Sequence, residues 1–397
     1  MTRQNSYAES MATDEKLTIL LTLKGRHLHT LRWMWHANRI HLPYHIVIAD
    51  GEVHPTIDRL LSDRSVFPNL SYEYHRYREA TYADFYKKLA ESIEKVKTEY
   101  VMWSDNDDFP MVTGIQRSIE FLKNNPEYVC AGGKIPNFSI QSRKEIEAGV
   151  IGHMVRLEFG YKNQNRGVDF SSMSNRVMDQ ILQYQPVSYH IFQTRVPKVI
   201  YSEFEALQFS DLSIAEFYHA LRTVTFGKAH TDPAIICYLR QAGTSTNAMV
   251  TNDWVHYLLR GTLPQDFRAL ATAISDKVAQ LEGYNATELR EDILNAYANY
   301  LRIMLGATTM RYRFPRLFRL KKSLMWLKEW RIMPNWYLRR IMGANLSTAL
   351  KSSLLTGTSF DACKCELGQI EATLQGDEFL AFLELKAPDL VRIPAAN

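Results

Sequence analysis

In Tyr100-Val101-Met102-Trp103-Ser104-Asp105-Asn106-Asp107-Asp108-Phe109-Pro110, an apolar run ends in three carboxylates before Phe-Pro turns the chain. Tyr100–Trp103 is short, aromatic and branched enough for a buried strand. Asp105, Asp107 and Asp108 then fall just past its carboxyl end, where open α/β sheets bind ligands. Two carboxylates about 4 Å apart repel by ~4 kcal/mol at an effective dielectric near 20, against ~1 kcal/mol in water. In a cleft such a cluster calls for a cation; on the surface it is a solvated Asx turn closing a strand.

The flanking sequence repeats the pattern. Leu17–Leu23 (LTILLTL) reads as a buried strand, followed by the basic turn Lys24-Gly25-Arg26. His29–Ile40 reads as a helix, and His45–Ala49 as a second strand ending in Asp50-Gly51. Leu70–His75 is a third strand, and Tyr82–Val96 a helix with Phe85, Leu89, Ile93 and Val96 on one face. Gly114–Lys123 and Tyr128–Ala131 add another helix and strand. This alternation predicts an α/β fold with a mixed, mostly parallel sheet flanked by helices. Residues 133–186 read as an irregular insertion that could shape an acceptor site. Val187–Thr194 and Ala234–Arg240 return as strands, with helices at Pro197–Ala206 and Leu212–Val224. The expected boundary lies near residue 245, followed by a helical C-terminal region over 246–397; residues 1–16 read as a disordered arm.

Composition narrows the class only in part. The 397 residues carry a formal net charge of +4, too small to name a partner. The four cysteines show no zinc-like pair, and Cys363-Lys364-Cys365 is too closely spaced for an ordinary disulfide, which suits a reducing compartment. No window reaches the ~18 apolar residues of a membrane span. A cytoplasmic protein is expected, one that could sit peripherally on the inner face of the cell membrane.

Three features converge on the carboxyl edge of the predicted sheet. Lys24 and Arg26 offer cations for a diphosphate, Asp50 an acceptor for a base N–H or ribose hydroxyl, and Asp105–Asp108 a cation site. Each alone has an ordinary reading as a solvated turn; their common placement favours a metal–nucleotide site. The pattern resembles the GT-A-fold, family-2-like glycosyltransferases of bacterial surface-polysaccharide synthesis, over roughly residues 17–245. That resemblance implies a GT-A-like, Rossmann-like domain and metal-dependent transfer of a sugar from a nucleotide-sugar donor to a glycan or lipid-linked acceptor. By it, Asp50 contacts the base, Asp105 faces the ribose and metal, and Asp107 ligates Mn²⁺ or Mg²⁺.

Such a reaction, if inverting, also needs a base for the acceptor hydroxyl. Asp211, at a helix start, and Glu216, one turn later, compete for that role; their ordinary readings are an N-cap and a solvated helix face. The family's usual Glu-Asp pair is absent, because Ser210 precedes Asp211. His230 could complete the metal site, and Arg240 could reach a phosphate. Residues 311–340 form a basic, tryptophan-bearing amphipathic segment suited to an anionic membrane surface or, less favoured, to nucleic acid. The other functional readings are a sugar-phosphate nucleotidyltransferase and a nucleic-acid-binding protein acting through 311–340.

Overall fold

All seven residues of the first strand, β1 (Leu17–Leu23), are buried, as expected of a parallel strand covered by helices on both faces. The computed structural model describes residues 16–143, 146–147, 149–158, 166–210, 212–242, 261–313 and 358–391. β1 lies between β2 (His45–Asp50) and β4 (Tyr100–Asp105), parallel to both. Its alternation sends Leu20 to one core and Ile19 and Leu21 to the other. β3 (Tyr72–Arg76) extends the sheet beyond β2.

On the other side of β4 come β9 (Ile191–Gln193), β6 (Tyr128–Lys134) and β10 (Lys228–Ile236), completing seven strands in the order β10-β6-β9-β4-β1-β2-β3. β9 is antiparallel to both neighbours; the other pairings are parallel. Strand order reverses between β1 and β4, so their carboxyl ends open a crevice at the topological switch point. Register places Leu23 opposite Asp50 and Thr22 opposite Asp105, which brings three of the predicted features to one edge.

Helices cover both faces. α1 (His27–Arg39), α2 (Asp58–Ser62) and α4 (Val112–Asn124) lie on one side. α3 (Tyr82–Ile93), α5 (Met173–Leu182), α6 (Arg195–Leu207) and α7 (Leu212–Phe226) lie on the other. The span 133–186 is more regular than its polar composition suggests. It contains β7 (Asn137–Ser142), β8 (Gly152–Glu158) and α5. With β5 (Phe109–Pro110) and β11 (Tyr238–Gln241), β7 and β8 form a second sheet in the order β5-β11-β7-β8. Pairing of Leu239 with Phe109 sets β11 directly beside the acidic loop.

The described C-terminal helices pack onto the α/β unit on both sides. Leu263–Glu282 and Ala286–Arg313 join the core of α5 and α7, where Phe267 and Tyr297 stack with centroids 3.5 Å apart. Thr358–Gln375 and Asp377–Lys386 join the opposite side: His36 Nδ1 lies 2.7 Å from Thr373 Oγ1, and Trp35 packs on Phe379. Of the basic segment 311–340, only 311–313, the end of a helix, fall within the described residues, as does Lys16 of the N-terminal arm; the boundary near 245 lies outside them. Among the described residues no helix is long and apolar enough to cross a membrane.

Candidate functional site

The crevice between β1 and β4 is a cleft of about 630 Å³. Lys24, Arg26, Asp105, Asp107, Asp108, Glu216 and Arg240 all line it, so most of the residues read from the sequence meet there. The turn after β1 is made by two successive left-handed residues, Gly25 (φ 65°) and Arg26 (φ 53°). Only glycine adopts that conformation freely; for Arg26 it costs on the order of 1–3 kcal/mol. The turn leads into α1 and brings Arg26 Nη1 to 2.6 Å from Asp107 Oδ2. The Gly25 amide donates to Glu52 Oε2 at 3.0 Å, so this donor is already engaged.

The carboxylate loop is held from several directions. Asp105 Oδ2 accepts from the Tyr189 phenol at 2.7 Å, and the Asp105 amide donates to Tyr238 Oη at 2.8 Å. Asp108 Oδ1 accepts from the Gln241 amide at 2.7 Å. Asn106 Nδ2 donates to Thr30 Oγ1 at 2.8 Å. Beneath the loop Arg32, fully buried, donates to Asp107 O at 2.7 Å and Gln241 Oε1 at 2.9 Å. The sequence reading includes Asp108 in the acidic cluster without giving it a ligand's role, and it does not mark Arg32, Tyr189 or Gln241. Asp108 stood in the motif; the other three come from α1, a loop and β11, and nothing local marks them.

One oxygen from each of Asp105, Asp107 and Asp108 lies within 4.8 Å of the others. Such an all-carboxylate set fits a hard divalent cation such as Mg²⁺ or Mn²⁺. Burial raises Asp105 above the usual carboxylate range, with Asp107 adding to the effect. Asp108 is pushed well above it by burial, then by Asp107 and Asp105. A cation relieves that penalty. Asp108 therefore belongs with Asp105 and Asp107 as a ligand candidate, in the place the sequence reading gave to His230.

His230 lies elsewhere. Its ring stacks on Phe121 (3.7 Å, 10°) beside a smaller cavity of about 270 Å³ that also includes Arg117 and Asp232. Register explains this: His230 pairs with Ala131, Ala131 with Ile191, and Ile191 with Met102. Three strand spacings, roughly 14 Å, therefore separate His230 from β4. Asp50 is at the expected edge but does not line the cleft. Tyr74 Oη donates to it at 2.7 Å and the Glu52 amide at 2.8 Å. The cleft wall nearby is Glu79, paired with Lys24 (3.2 Å) and with the buried Lys88 (2.6 Å).

Of the two candidate bases, Asp211 lies outside the described residues. Glu216 is exposed to the cleft, and its Oε1 accepts from Tyr184 Oη at 2.9 Å. Arg240 leans over the Tyr189 ring at 5.6 Å. Its pKa is raised by Tyr189 first, with Asp108, Glu216 and Asp105 adding to the effect against burial, so it is a fixed cation among these acids.

No protein-family model matches the chain, and no curated protein matches it. Among solved structures it is similar to S. aureus TarS 1-349, with 10% identity, a TM-score of 0.47, and coverage of 92% of this chain and 91% of that one. The complex of that fragment with UDP gives 11% identity, a TM-score of 0.45 and coverage of 92% and 91%. The complex with UDP-GlcNAc gives 9%, 0.47, and coverage of 92% of both chains. At such scores the likeness fixes neither a family nor an activity.

Proposed function

We propose that this protein is a GT-A-like glycosyltransferase that moves a sugar from a nucleotide-sugar donor to a glycan or lipid-linked acceptor, with Mn²⁺ or Mg²⁺ held by Asp105, Asp107 and Asp108. The observation that carries the reading is the carboxylate trio at the switch point of the sheet, inside a cleft that also contains Lys24, Arg26 and Arg240. Three carboxylates beside Arg26, Arg32 and Arg240 are balanced in charge. A nucleoside diphosphate adds anionic oxygens, and a divalent cation restores the balance. When bound, that cation supplies Lewis-acid neutralisation of charge on the departing diphosphate.

The chain's own residues supply the rest. Arg26 and Arg240 flank the carboxylates, placed to hold phosphate oxygens. Lys24, half-exposed in the cleft lining and paired with Glu79 at 3.2 Å, is a third cation for the same diphosphate. In this reading the acceptor hydroxyl's proton goes to Asp211 or to Glu216, which lines the cleft. Sequence beyond 313 supports a further element, a basic tryptophan-bearing segment that could dock the enzyme on an anionic membrane where lipid-linked acceptors reside.

The test is thermal melting of wild type and Asp107→Ala with UDP, GDP, ADP, CDP and dTDP, with and without Mn²⁺. A ligand at 100 times its dissociation constant stabilises by ~2.7 kcal/mol. A Mn²⁺-dependent rise with one nucleotide, lost in Asp107→Ala, is expected. No rise with any nucleotide would refute the donor site.

A further inference from the structure

Two lysines share one carboxylate where the first two strands end. Glu79 Oε1 lies 3.2 Å from Lys24 Nζ, and Glu79 Oε2 lies 2.6 Å from Lys88 Nζ. Lys24 is half-exposed, whereas Glu79 and Lys88 are buried, Lys88 to 2% exposure. Lys88 stands on α3, and its Nζ also donates to Leu23 O at 3.1 Å. That carbonyl, the last of β1, accepts from the Gly51 amide at 2.8 Å, and Gly51 O accepts from the Glu79 amide at 2.7 Å. Glycine at 51 gives the pair its room: a Cβ there would meet Glu79 Cβ at 2.8 Å and Lys88 Nζ at 3.0 Å. The Lys88 ammonium thus ties α3 to the point where β1 passes into the Lys24-Gly25-Arg26 turn.

A buried ammonium is costly, and replacing a buried ion pair by apolar groups of similar volume is often neutral or stabilising. Burial lowers the Lys88 pKa, with the Glu79 charge opposing it first and Asp50 adding to that opposition. Fold stability alone therefore gives little reason for a lysine here, and Lys24 supplies another. Paired with Glu79 alone, Lys24 would be cancelled, and Asp50 would leave this corner of the cleft negative toward an incoming diphosphate. With Lys88 present, Glu79 is balanced from the buried side. The Lys24 ammonium then keeps its field toward the cleft.

We propose that Lys88 is a positioning residue for the diphosphate: by neutralising Glu79 from behind, it leaves the charge of Lys24 available to phosphate oxygens. The inference rests on the nucleotide-sugar reading above and adds to it a residue that acts only through another. Its mark is non-additivity, since two residues working through one charge cannot each remove it in turn.

Inorganic pyrophosphate, titrated calorimetrically into the full chain with Mg²⁺ present, tests it. Lys24→Met is expected to weaken binding about fivefold, the share of one exposed cation. Lys88→Met should weaken it by a similar factor. In the Lys24→Met background the same Lys88→Met change should matter by less than about twofold. Lys88→Met combined with Glu79→Gln removes both buried charges and should return affinity to within about twofold of wild type. Lys88→Gln, which keeps an N–H for Leu23 O, carries the same expectations if Lys88→Met fails to fold. Wild-type affinity in the folded single variants, additive losses with Lys24→Met, or no recovery with Glu79→Gln overturns the inference and leaves the diphosphate site intact. Failure of wild type to bind pyrophosphate removes the diphosphate reading, and the inference with it.

Discussion

The Tyr189 phenol donates to Asp105 Oδ2 at 2.7 Å, although 84 residues separate the two in sequence. Tyr189 is itself stacked on Tyr238, with centroids 4.4 Å apart, and Tyr238 accepts the Asp105 amide proton. Two stacked rings thus hold Asp105, one by its carboxylate and the other by its backbone amide. Burial and the neighbouring Asp105 raise the Tyr189 pKa well above its ordinary value, so the phenol keeps the proton it donates.

Removing that hydroxyl tests whether Asp105 must be oriented to hold a cation. Groups that orient metal ligands typically contribute 10–100-fold to affinity. Tyr189→Phe is expected to weaken Mn²⁺ binding by about tenfold, read by titration of the free Mn²⁺ resonance signal. Its cost to metal-free stability should be only ~1 kcal/mol. Unchanged Mn²⁺ affinity would mean that Asp105 is not a ligand or needs no orientation.

Arg32 supports the floor of the site. Its guanidinium also donates to Val150 O at 2.7 Å and Gly149 O at 3.2 Å, and its charge lies over the Phe109 ring at 5.0 Å. Burial lowers its pKa to about 10, against Asp107 and Asp108, so it stays charged at neutral pH. Arg32→Leu strands several buried acceptors and should destabilise the fold by about 3–5 kcal/mol in urea denaturation. A loss below ~1 kcal/mol would mean that these acceptors find other partners.

Much of this architecture was readable in advance, and the exceptions have physical causes. β1, β2 and β4 are apolar runs ended by charged turns, and their parallel register follows once helices separate them. The strand read over Val187–Thr194 is β9, only three residues long, and its antiparallel direction depends on partners on both sides, a direction that no local pattern announces. Asn137–Ser142 carries two apolar residues in six and became a strand because β8 and β11 were there to pair with it. The acidic motif was legible as a motif, whereas Gln241 and Tyr189 reach it only through tertiary structure. His230 was misplaced because adjacency in the chain says nothing about how many strands lie between.

Stability should fall with acid through the buried histidines. Burial holds His36 and His190 at about 3, below their ordinary 6.5. The folded state therefore binds fewer protons than the unfolded chain between those values, and stability rises with pH across that window. It is fully present above 6.5 and is lost progressively below it. At pH 5 each of the two costs about 2 kcal/mol relative to neutral pH. His36→Gln should flatten the slope of stability against pH between 7 and 5, measured by denaturant melts. An unchanged slope would show that His36 gains its proton without unfolding.

Helix α4 begins without a side-chain cap of its own. Instead the Thr113 amide donates to Glu366 Oε1 at 2.9 Å, and the Thr113 hydroxyl donates to the same oxygen. Loss of a cap typically costs ~1 kcal/mol and at most ~2. Glu366→Ala should lower stability by that amount, and Glu366→Gln by less, in the same denaturant assay. No difference between Ala and wild type would assign Glu366 to packing alone.

That cap also sets an order of events during synthesis. Thr113 and Glu366 are 253 residues apart, and a ribosome adds about 5–20 residues per second, so α4 waits roughly 10–50 s for its partner to emerge. The carboxylate loop runs directly into α4 through Phe109–Pro110. The anchors of the carboxylate loop itself, Tyr189, Tyr238 and Gln241, emerge earlier, so the loop is held before α4 receives its cap. The acidic site is thus set ahead of the helix that leaves it, and the Thr358–Gln375 helix adds the cap afterwards.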